Sequence, residues 1–280
     1  MKRLLLVDGS NLLFQMFYGM PSRIVNHEGK AIQGTLGFTG ALLKILRMTR
    51  PTHVAVLFDG EYVNERTRLD ADYKANRTDY SQMPEEDTPF SQLPDVYAAL
   101  NYIGLCHAET TACETDDWMA SYALAYGKDH EVVIASQDSD FFQLITDTVS
   151  VLRYRGDKSI LCDPAYIRGK LGIEPNQYAD HKSLTGDGSD NIRGAERIGP
   201  KTATALLNEY GSLEGIISQV KSIKRDFIRD SIEKNVDRLR KNFRLIHLDG
   251  GAELPFELSE LEYRCPDITT TDVLKGIGLR

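Results

Sequence analysis

The sequence predicts an α/β protein with a doubly wound, mostly parallel sheet, followed by a smaller helical module. Three short apolar runs carry the first part of this prediction: Leu4–Val7, Val54–Phe58 and Val132–Ala135. Each run is bounded by polar residues and lacks alternation, which is typical of strands buried on both faces of a parallel sheet. Helical patterns separate the runs, and the character of the chain changes after about residue 180.

Three segments between and beside these runs place apolar residues at helical spacing, namely Thr35–Met48, Pro94–Ile103 and Asp116–Tyr126. Strands that alternate with helices predict crossover connections and a sheet covered by helices on both faces. The doubly wound fold follows from this alternation.

Composition bounds the answer without deciding it. The chain has 280 residues, 41% of them hydrophobic and 26% charged, which allows a large core in one or two domains. Its net charge of −8 argues, taken alone, against a nucleic-acid partner, because Lys and Arg bind phosphates. Net charge averages over the surface, however, so acids grouped around cations could coexist with a basic surface elsewhere.

No window of 18 apolar residues is present, so we predict no membrane span. The apolar run Leu4–Val7 is too short for the h-region of a signal peptide, and Asp8 ends it. The expected location is therefore the cytoplasm.

Acidic residues follow all three predicted strands. Asp8 follows the first run and Asp59 the second, and Asp138 and Asp140 come shortly after the third. In open parallel sheets the carboxyl ends of strands meet at one edge, where ligands bind. One acid after a strand is commonplace as a helix cap, but three strands that all deliver acids indicate a site.

Two further acidic groups join this set. Glu114, Asp116 and Asp117 surround a helix start, where acids also favour the helix dipole, and Asp187 and Asp190 lie in TGDGSDN, where turn chemistry is the alternative. So many carboxylates at one edge would repel one another unless cations neutralised them. Oxygen ligands suit Mg²⁺ or Mn²⁺ rather than Zn²⁺, and no histidine lies beside these groups.

The segment NIRGAERIGPKTATALLNEYGS predicts a second module. A turn at Gly199–Lys201 precedes a helix over Lys201–Tyr210 that ends at Gly211. Pro200 disrupts any P-loop pattern, whereas a helix–hairpin–helix fits, with backbone N–H groups facing a DNA phosphate. Plain helix packing is the alternative. Lys221–Arg244 follows with nine basic residues, which also suit a solvated amphipathic face.

Six ordered motifs resemble the 5′-nuclease or flap-endonuclease family, which includes the 5′→3′ exonuclease domain of bacterial DNA polymerase I and stand-alone relatives. They are LLLVDGSN, VLFDG, CETDD, SQDSDFFQLI, LTGDGSDNIRG and RIGPKTA, spread over about residues 3–250. The resemblance implies a PIN-like core over 1–180 with a helical arch at about 62–95. It also implies a helix–three-turn–helix module over 181–250, which leaves a tail over 251–280.

The resemblance also implies a site with two divalent ions, Mg²⁺ or Mn²⁺, about 4 Å apart. The residues that match the first metal cluster are Asp8, Asp59, Glu114, Asp116 and Asp138, and those that match the second are Asp117, Asp140, Asp187 and Asp190. The family further implies a K⁺ ion bound by backbone carbonyls near Ile192 and Ile198.

Basic residues after Asp59 match positions at the base of the family's arch. Arg66, Lys74 and Arg77 would approach the scissile phosphate, and Tyr73 would stack on an unpaired base. Gly199, Lys201 and Thr202 would bind duplex DNA through phosphates. The acidic stretch 78–92 departs from the family's pattern. It lies where the arch would pass single-stranded DNA, so it affects how a single strand would thread through the arch.

The implied function is a structure-specific 5′ nuclease that acts as a monomer on DNA with a 5′ flap or a 5′ single-stranded end. It would leave a 5′-phosphate and a 3′-hydroxyl. The alternatives are a DNA-junction scaffold that does not cut, a PIN-type ribonuclease and, more weakly, a phosphatase built on the DxD pair.

Overall fold

The computed structural model describes residues 2–60, 65–264 and 267–279. In this part of the chain, six strands form the central sheet: β1 Arg3–Asp8, β2 His53–Phe58, β3 Cys106–Glu109, β4 Glu131–Ala135, β5 Val149–Arg153 and β6 Ile160–Cys162. Their order is β3-β2-β1-β4-β5-β6, and all neighbours are parallel except β5 and β6. The predicted mostly parallel α/β fold is confirmed.

The central strands are apolar on both faces because helices cover both. The helices are α1 Gly9–Gly19, α2 Gln33–Thr49, α3 Glu65–Leu69, α4 Leu93–Ile103, α5 Thr115–Tyr126, α6 Pro164–Leu171, α7 Tyr178–Thr185, α8 Pro200–Tyr210, α9 Leu213–Ser218, α10 Asp226–Ile246 and α11 Thr270–Gly276. One core packs α1, α2, α4 and α11 against the sheet, and the other packs α5 together with α7, α8 and α10. The four helices predicted from apolar spacing and the glycine stop are all present.

The second module packs against the α5 face of the sheet. Its helices α7 and α10 contact each other, and a short hairpin of β7 Gly186–Asp187 and β8 Ile192–Arg193 lies beside them. Gly186 adopts a φ of +84°, and an added Cβ would lie 2.6 Å from the Gly194 nitrogen. Glycine is therefore required there for the two hairpin strands to meet.

The predicted arch is only partly seen. Its start at 62–64 lies outside the described residues, and after the short α3 the chain runs through turns to α4. The acidic stretch forms short 3-10 turns at Glu85–Asp87 and Pro89–Gln92 instead of a long helix. Within the described ranges, no helix has both the length and the hydropathy to cross a bilayer.

Candidate active site

The carboxyl ends of three parallel strands place acids along one edge of the sheet. Asp8 ends β1, Asp59 follows β2, and Asp138 and Asp140 follow β4. The chain can turn away after Asp59 because Gly60 has no side chain: a Cβ there would lie 2.0 Å from the Thr110 carbonyl oxygen.

The start of α5 and the β7–β8 hairpin bring further acids to this edge. Glu114 occupies the N-cap position of α5, Asp116 lies in the first turn of α5, and Asp187 and Asp190 lie in the hairpin. We call the whole set the acid edge; its members are Asp8, Asp59, Glu114, Asp116, Asp138, Asp140, Asp187 and Asp190. The charges of these residues act on one another across five chain segments.

Burial and mutual repulsion raise the pKa values of several members. Burial raises the pKa of Asp8 to about 7, and the charge of Asp59 adds to it. Burial and the neighbouring Asp138 raise the pKa of Asp140 to about 8. The pKa values of Asp116 and Asp138 are raised as well, first by burial. Asp8 and Asp140 therefore retain protons near neutral pH to a substantial extent unless a cation compensates their charge.

Other members are already compensated by basic side chains. The Lys74 Nζ lies 2.7 Å from Glu114 Oε1, and the Lys182 Nζ lies 2.6 Å from Asp187 Oδ2. Burial alone would raise the pKa of Asp187, but the hydrogen bond and charge of Lys182, together with two hydrogen bonds from Ser189, outweigh it and the pKa is lowered. Sequence reasoning missed Lys182, because it lies in α7, a helix that the sequence analysis did not predict.

Lys74 has an unusual backbone. Its φ is +57°, in the left-handed region, and its N–H donates to the Asp190 carbonyl at 3.1 Å. Burial alone would lower the pKa of its ammonium, but Glu114 and Asp116 raise it, so the side chain remains charged. Arg77, three residues on, pairs with Asp190 at 3.0 Å and keeps 56% of its side chain exposed.

Arg66 is placed differently from the prediction. Only 9% of it is exposed, and its guanidinium bonds Asp117 through two nitrogens, at 2.7 and 2.9 Å, and Glu114 at 2.6 Å. It also donates to the His247 carbonyl at 3.3 Å. With its donors turned inward, Arg66 neutralises two buried acids in this arrangement, and its role toward the scissile phosphate stays a prediction.

Asp117, which stays a predicted metal ligand, is engaged by Arg66 in this structure. Both of its carboxylate oxygens accept from Arg66, and Oδ1 also accepts the Asp249 N–H at 2.9 Å. Its carboxylate therefore forms a bidentate ion pair in which the guanidinium of Arg66 engages both oxygens.

Tyr73 is buried instead of being presented to a base. It is 6% exposed and packs with Ile192 and Ile246. Its hydroxyl donates to Glu114 at 3.3 Å. Stacking on an unpaired base would require the ring to leave this buried position, and it stays a prediction.

The predicted DNA-binding turn lies at the surface. Gly199 and Lys201 are exposed, and the Thr202 N–H donates to the Gly199 carbonyl at 3.0 Å, which closes the first turn of α8. Ile192 and Ile198 are buried on either side of the loop that leads to this turn.

The acid edge offers an all-oxygen donor set to a hard cation. Within the described ranges, no lysine or arginine forms a salt bridge with Asp8, Asp59, Asp116, Asp138 or Asp140. The buried Asp140 Oδ1 also has no hydrogen-bond partner there. No three His, Cys, Asp or Glu side chains of the described chain are arranged to hold an ion as they stand. The chemistry of the donors fits Mg²⁺ or Mn²⁺, and their side chains would have to converge further to bind one.

Two family models match adjoining parts of the chain, which together span residues 3–269. Residues 3–172 match the 5′-3′ exonuclease N-terminal resolvase-like domain, and residues 173–269 match the 5′-3′ exonuclease C-terminal SAM fold.

Curated relatives are similar over nearly the whole chain. The DNA polymerase I of Thermus aquaticus is 35% identical over 266 residues, which are 95% of this chain and 30% of that protein. The chain thus spans about a third of the length of the DNA polymerase I relatives it matches. The 5′-3′ exonuclease of Aquifex aeolicus is 30% identical over 96% of this chain and 89% of its own length.

Solved structures share the fold at lower identity. A bacteriophage T5 flap endonuclease in a pseudo-enzyme-product complex with DNA and metal ions has a TM-score of 0.73 at 23% identity, with 99% of each chain covered. The catalytic core of Rad2 in complex with a DNA substrate has a TM-score of 0.58 at 15% identity, covering 98% of this chain and 87% of that chain.

Proposed function

We propose, because this chain belongs to the 5′-3′ exonuclease family, that it hydrolyses phosphodiester bonds at 5′ ends and 5′ flaps of DNA with divalent metal ions. The observation that carries the proposal is the acid edge itself, where buried carboxylates with raised pKa values lie beside the charged Lys74. Burying several carboxylates close together costs free energy, so such a set is expected at a functional site that binds cations.

The uncompensated members Asp8, Asp59, Asp116, Asp138 and Asp140 would hold Mg²⁺ or Mn²⁺. Glu114, Asp187 and Asp190 would assist these ligands in holding the ions. In this structure each of the three forms an ion pair with a basic side chain. Bound there, such ions supply an activated water and offset charge on the reacting phosphate.

Lys74 and Arg77 would bind the scissile phosphate as electrostatic clamps, because both lie at the acid edge with their charges intact. Arg77 is the more accessible of the two. Each would stabilise negative charge that develops on the phosphate oxygens, without giving up a proton. Release of these side chains from Glu114 and Asp190 would accompany substrate binding.

The exposed turn at Gly199 and Lys201, with Thr202, would hold the duplex through its phosphates, so base sequence would matter little. We further propose a K⁺ ion at the backbone near Ile192 and Ile198, and a monomer that acts on DNA in the cytoplasm.

The test compares wild type with Asp140→Asn on labelled DNA carrying a 5′ flap, with Mg²⁺ and with EDTA. We expect cleavage by wild type only with Mg²⁺, and no cleavage by the variant. Flap binding should be largely preserved in the variant, because Asp140 lies at the acid edge and not in the exposed turn at Gly199 and Lys201 that would hold the duplex. Normal turnover by Asp140→Asn at saturating Mg²⁺ would contradict the assignment.

The same assay separates the alternatives. Tight flap binding without cleavage by wild type at any metal concentration would indicate a junction scaffold. Preferred cleavage of RNA flaps would indicate a ribonuclease.

A further inference from the structure

Gln137 lies between β4 and the two acids Asp138 and Asp140, and it contacts two other elements beside the site. Its N–H donates to Asn11 Oδ1 on α1 at 3.0 Å. Its side-chain Nε2 donates to the Tyr154 carbonyl at 2.7 Å. The loop that carries the acids is therefore tied to α1 on one side and to the chain after β5 on the other.

The acceptors of Gln137 are engaged as well. Arg153 donates from Nη2 to its carbonyl at 3.0 Å, and Arg155 donates from Nε to its Oε1 at 3.2 Å. A second glutamine, Gln15 of α1, donates to the same Tyr154 carbonyl at 2.9 Å. We call this set the Gln137 brace; its members are Asn11, Gln15, Gln137, Arg153, Tyr154 and Arg155.

The brace is connected to the acid edge by further hydrogen bonds. The Asn11 N–H donates to Asp8 Oδ1 at 2.9 Å. Ser136 Oγ donates to Asp8 Oδ2 at 2.7 Å and accepts the Asp138 N–H at 3.0 Å. Together with the bond between Gln137 and Asn11, these contacts close a ring that fixes the loop after β4 relative to the end of β1.

This ring matters because the side chains of the acid edge would have to converge to bind an ion. Convergence is possible only if the backbones from which the carboxylates extend are held at a suitable spacing. Among the described residues, Gln137 donates no hydrogen bond to a carboxylate. It would therefore act on the ions through the loop that it holds, in the way that residues behind metal ligands tune metal affinity.

We propose that Gln137 is a positioning residue, which holds the loop with Asp138 and Asp140 at the spacing from Asp8 that binding of divalent ions requires. The inference rests on the proposed function. It adds to that function a residue that contacts neither the ions nor the DNA.

The experiment measures Mn²⁺ binding by wild type and Gln137→Met without DNA, by isothermal titration calorimetry. Methionine keeps the length of the side chain and removes both of its hydrogen bonds. We expect the variant to bind Mn²⁺ about tenfold more weakly. On a 5′-flap substrate at low Mn²⁺, kcat should fall while KM for the flap stays unchanged, and a higher Mn²⁺ concentration should restore much of the lost rate.

Gln177 in the second module offers a matched control. It is half-buried like Gln137, and its Nε2 donates to the Leu207 and Gly211 carbonyls at 3.2 and 2.7 Å. Its Oε1 accepts the Glu174 N–H at 2.9 Å. Gln177→Met should therefore lower stability to urea about as much as Gln137→Met does, but it should leave the Mn²⁺ affinity unchanged.

Arg155→Met tests the brace by a milder change, because Arg155 is exposed and Gln137 is kept. Removing a positive charge near the acid edge would by itself strengthen the binding of a cation. The brace predicts the opposite, namely weaker binding of Mn²⁺. The direction of the change therefore tests the idea even if Gln137→Met folds poorly.

Unchanged Mn²⁺ affinity in Gln137→Met, an equal loss in Gln177→Met, or unchanged or tighter binding in Arg155→Met would overturn the inference while wild type still binds Mn²⁺ and cuts flaps. Failure of wild type to bind Mn²⁺ at all would overturn the proposed function, and this inference with it.

Discussion

Lys182 shows how one basic side chain changes the pKa of a carboxyl at the acid edge. Its ammonium contacts the buried carboxylate of Asp187 with 20% of its own side chain exposed, and this contact and two hydrogen bonds from Ser189 together outweigh the burial of that carboxylate. The charge of the same lysine also lowers the pKa of Asp140, but burial and the charge of Asp138 outweigh it and the pKa is raised. The two aspartates differ because Asp187 accepts hydrogen bonds from Lys182 and Ser189, whereas the Oδ1 of Asp140 has no hydrogen-bond partner among the described residues.

Substituting Lys182→Met should destabilise the metal-free protein by about 2 kcal/mol, because it leaves the Asp187 carboxylate buried without its charged partner. The double variant Lys182→Met/Asp187→Asn should recover much of that loss, since the remaining amide carries no charge. Urea unfolding in EDTA measures both. Equal losses in the single and double variants would show that the ion pair contributes nothing.

At the scale of elements, the base of the predicted arch is fastened to the second module. Lys241 of α10 pairs with Asp70 after α3 at 2.7 Å. The turn that follows is tied to the β7–β8 hairpin, because the Asn191 side chain donates to the Asp72 carbonyl at 2.9 Å and Asn76 donates to the Gly188 carbonyl at 2.9 Å. The segment that carries Lys74 is thereby held against the acid edge.

Arg66→Ala should lower the free energy of unfolding by about 3 kcal/mol, because Glu114 and Asp117 would lose a buried partner. The matched control is Arg68→Ala on the exposed side of α3, which should change stability by less than about 0.5 kcal/mol. Chemical unfolding measures both variants. Full stability of Arg66→Ala combined with a loss of turnover would contradict the structural role and restore the phosphate clamp.

Among the strands, the sequence predicted three that are buried on both faces, and it missed β3, whose burial is partial. β1, β2 and β4 are apolar on both faces and were recognised, whereas β3 is the half-buried run CHAE and carries no such pattern. The positions of the acids directly after predicted strands likewise predicted that they lie together, because the carboxyl ends of parallel strands lie at one edge of a sheet. The sequence could not show that Arg66 turns inward or that Tyr73 is buried, because both depend on contacts with residues more than 40 positions away.

At the scale of the whole molecule, charge opposes stability more strongly as pH rises. The folded pKa values of Asp8 and Asp140, about 7 and about 8, lie above the ordinary value of 3.8. The folded state therefore binds these protons more tightly than the unfolded state. Their stabilising contribution is complete below the ordinary value and is lost as pH rises through about 7 to 8. The growing net negative charge acts in the same direction.

In EDTA, the acid edge should therefore make the melting temperature fall between about pH 5.5 and pH 8. Mg²⁺ should raise it more at the upper pH, since protons compete with the ion for the same carboxylates. In Asp140→Asn both effects should be smaller. Thermal unfolding at matched ionic strength measures this, and equal pH dependence in wild type and variant would contradict the raised pKa of Asp140.

The claim on which the account depends is that the acid edge binds divalent cations. Anomalous scattering from a crystal soaked with Mn²⁺ tests it most directly, because the ion is located without reference to activity. We predict Mn²⁺ density bounded by the carboxylates of Asp8, Asp138 and Asp140, and its weakening in an Asp140→Asn crystal. Mn²⁺ bound elsewhere, with none at the acid edge, would contradict the account.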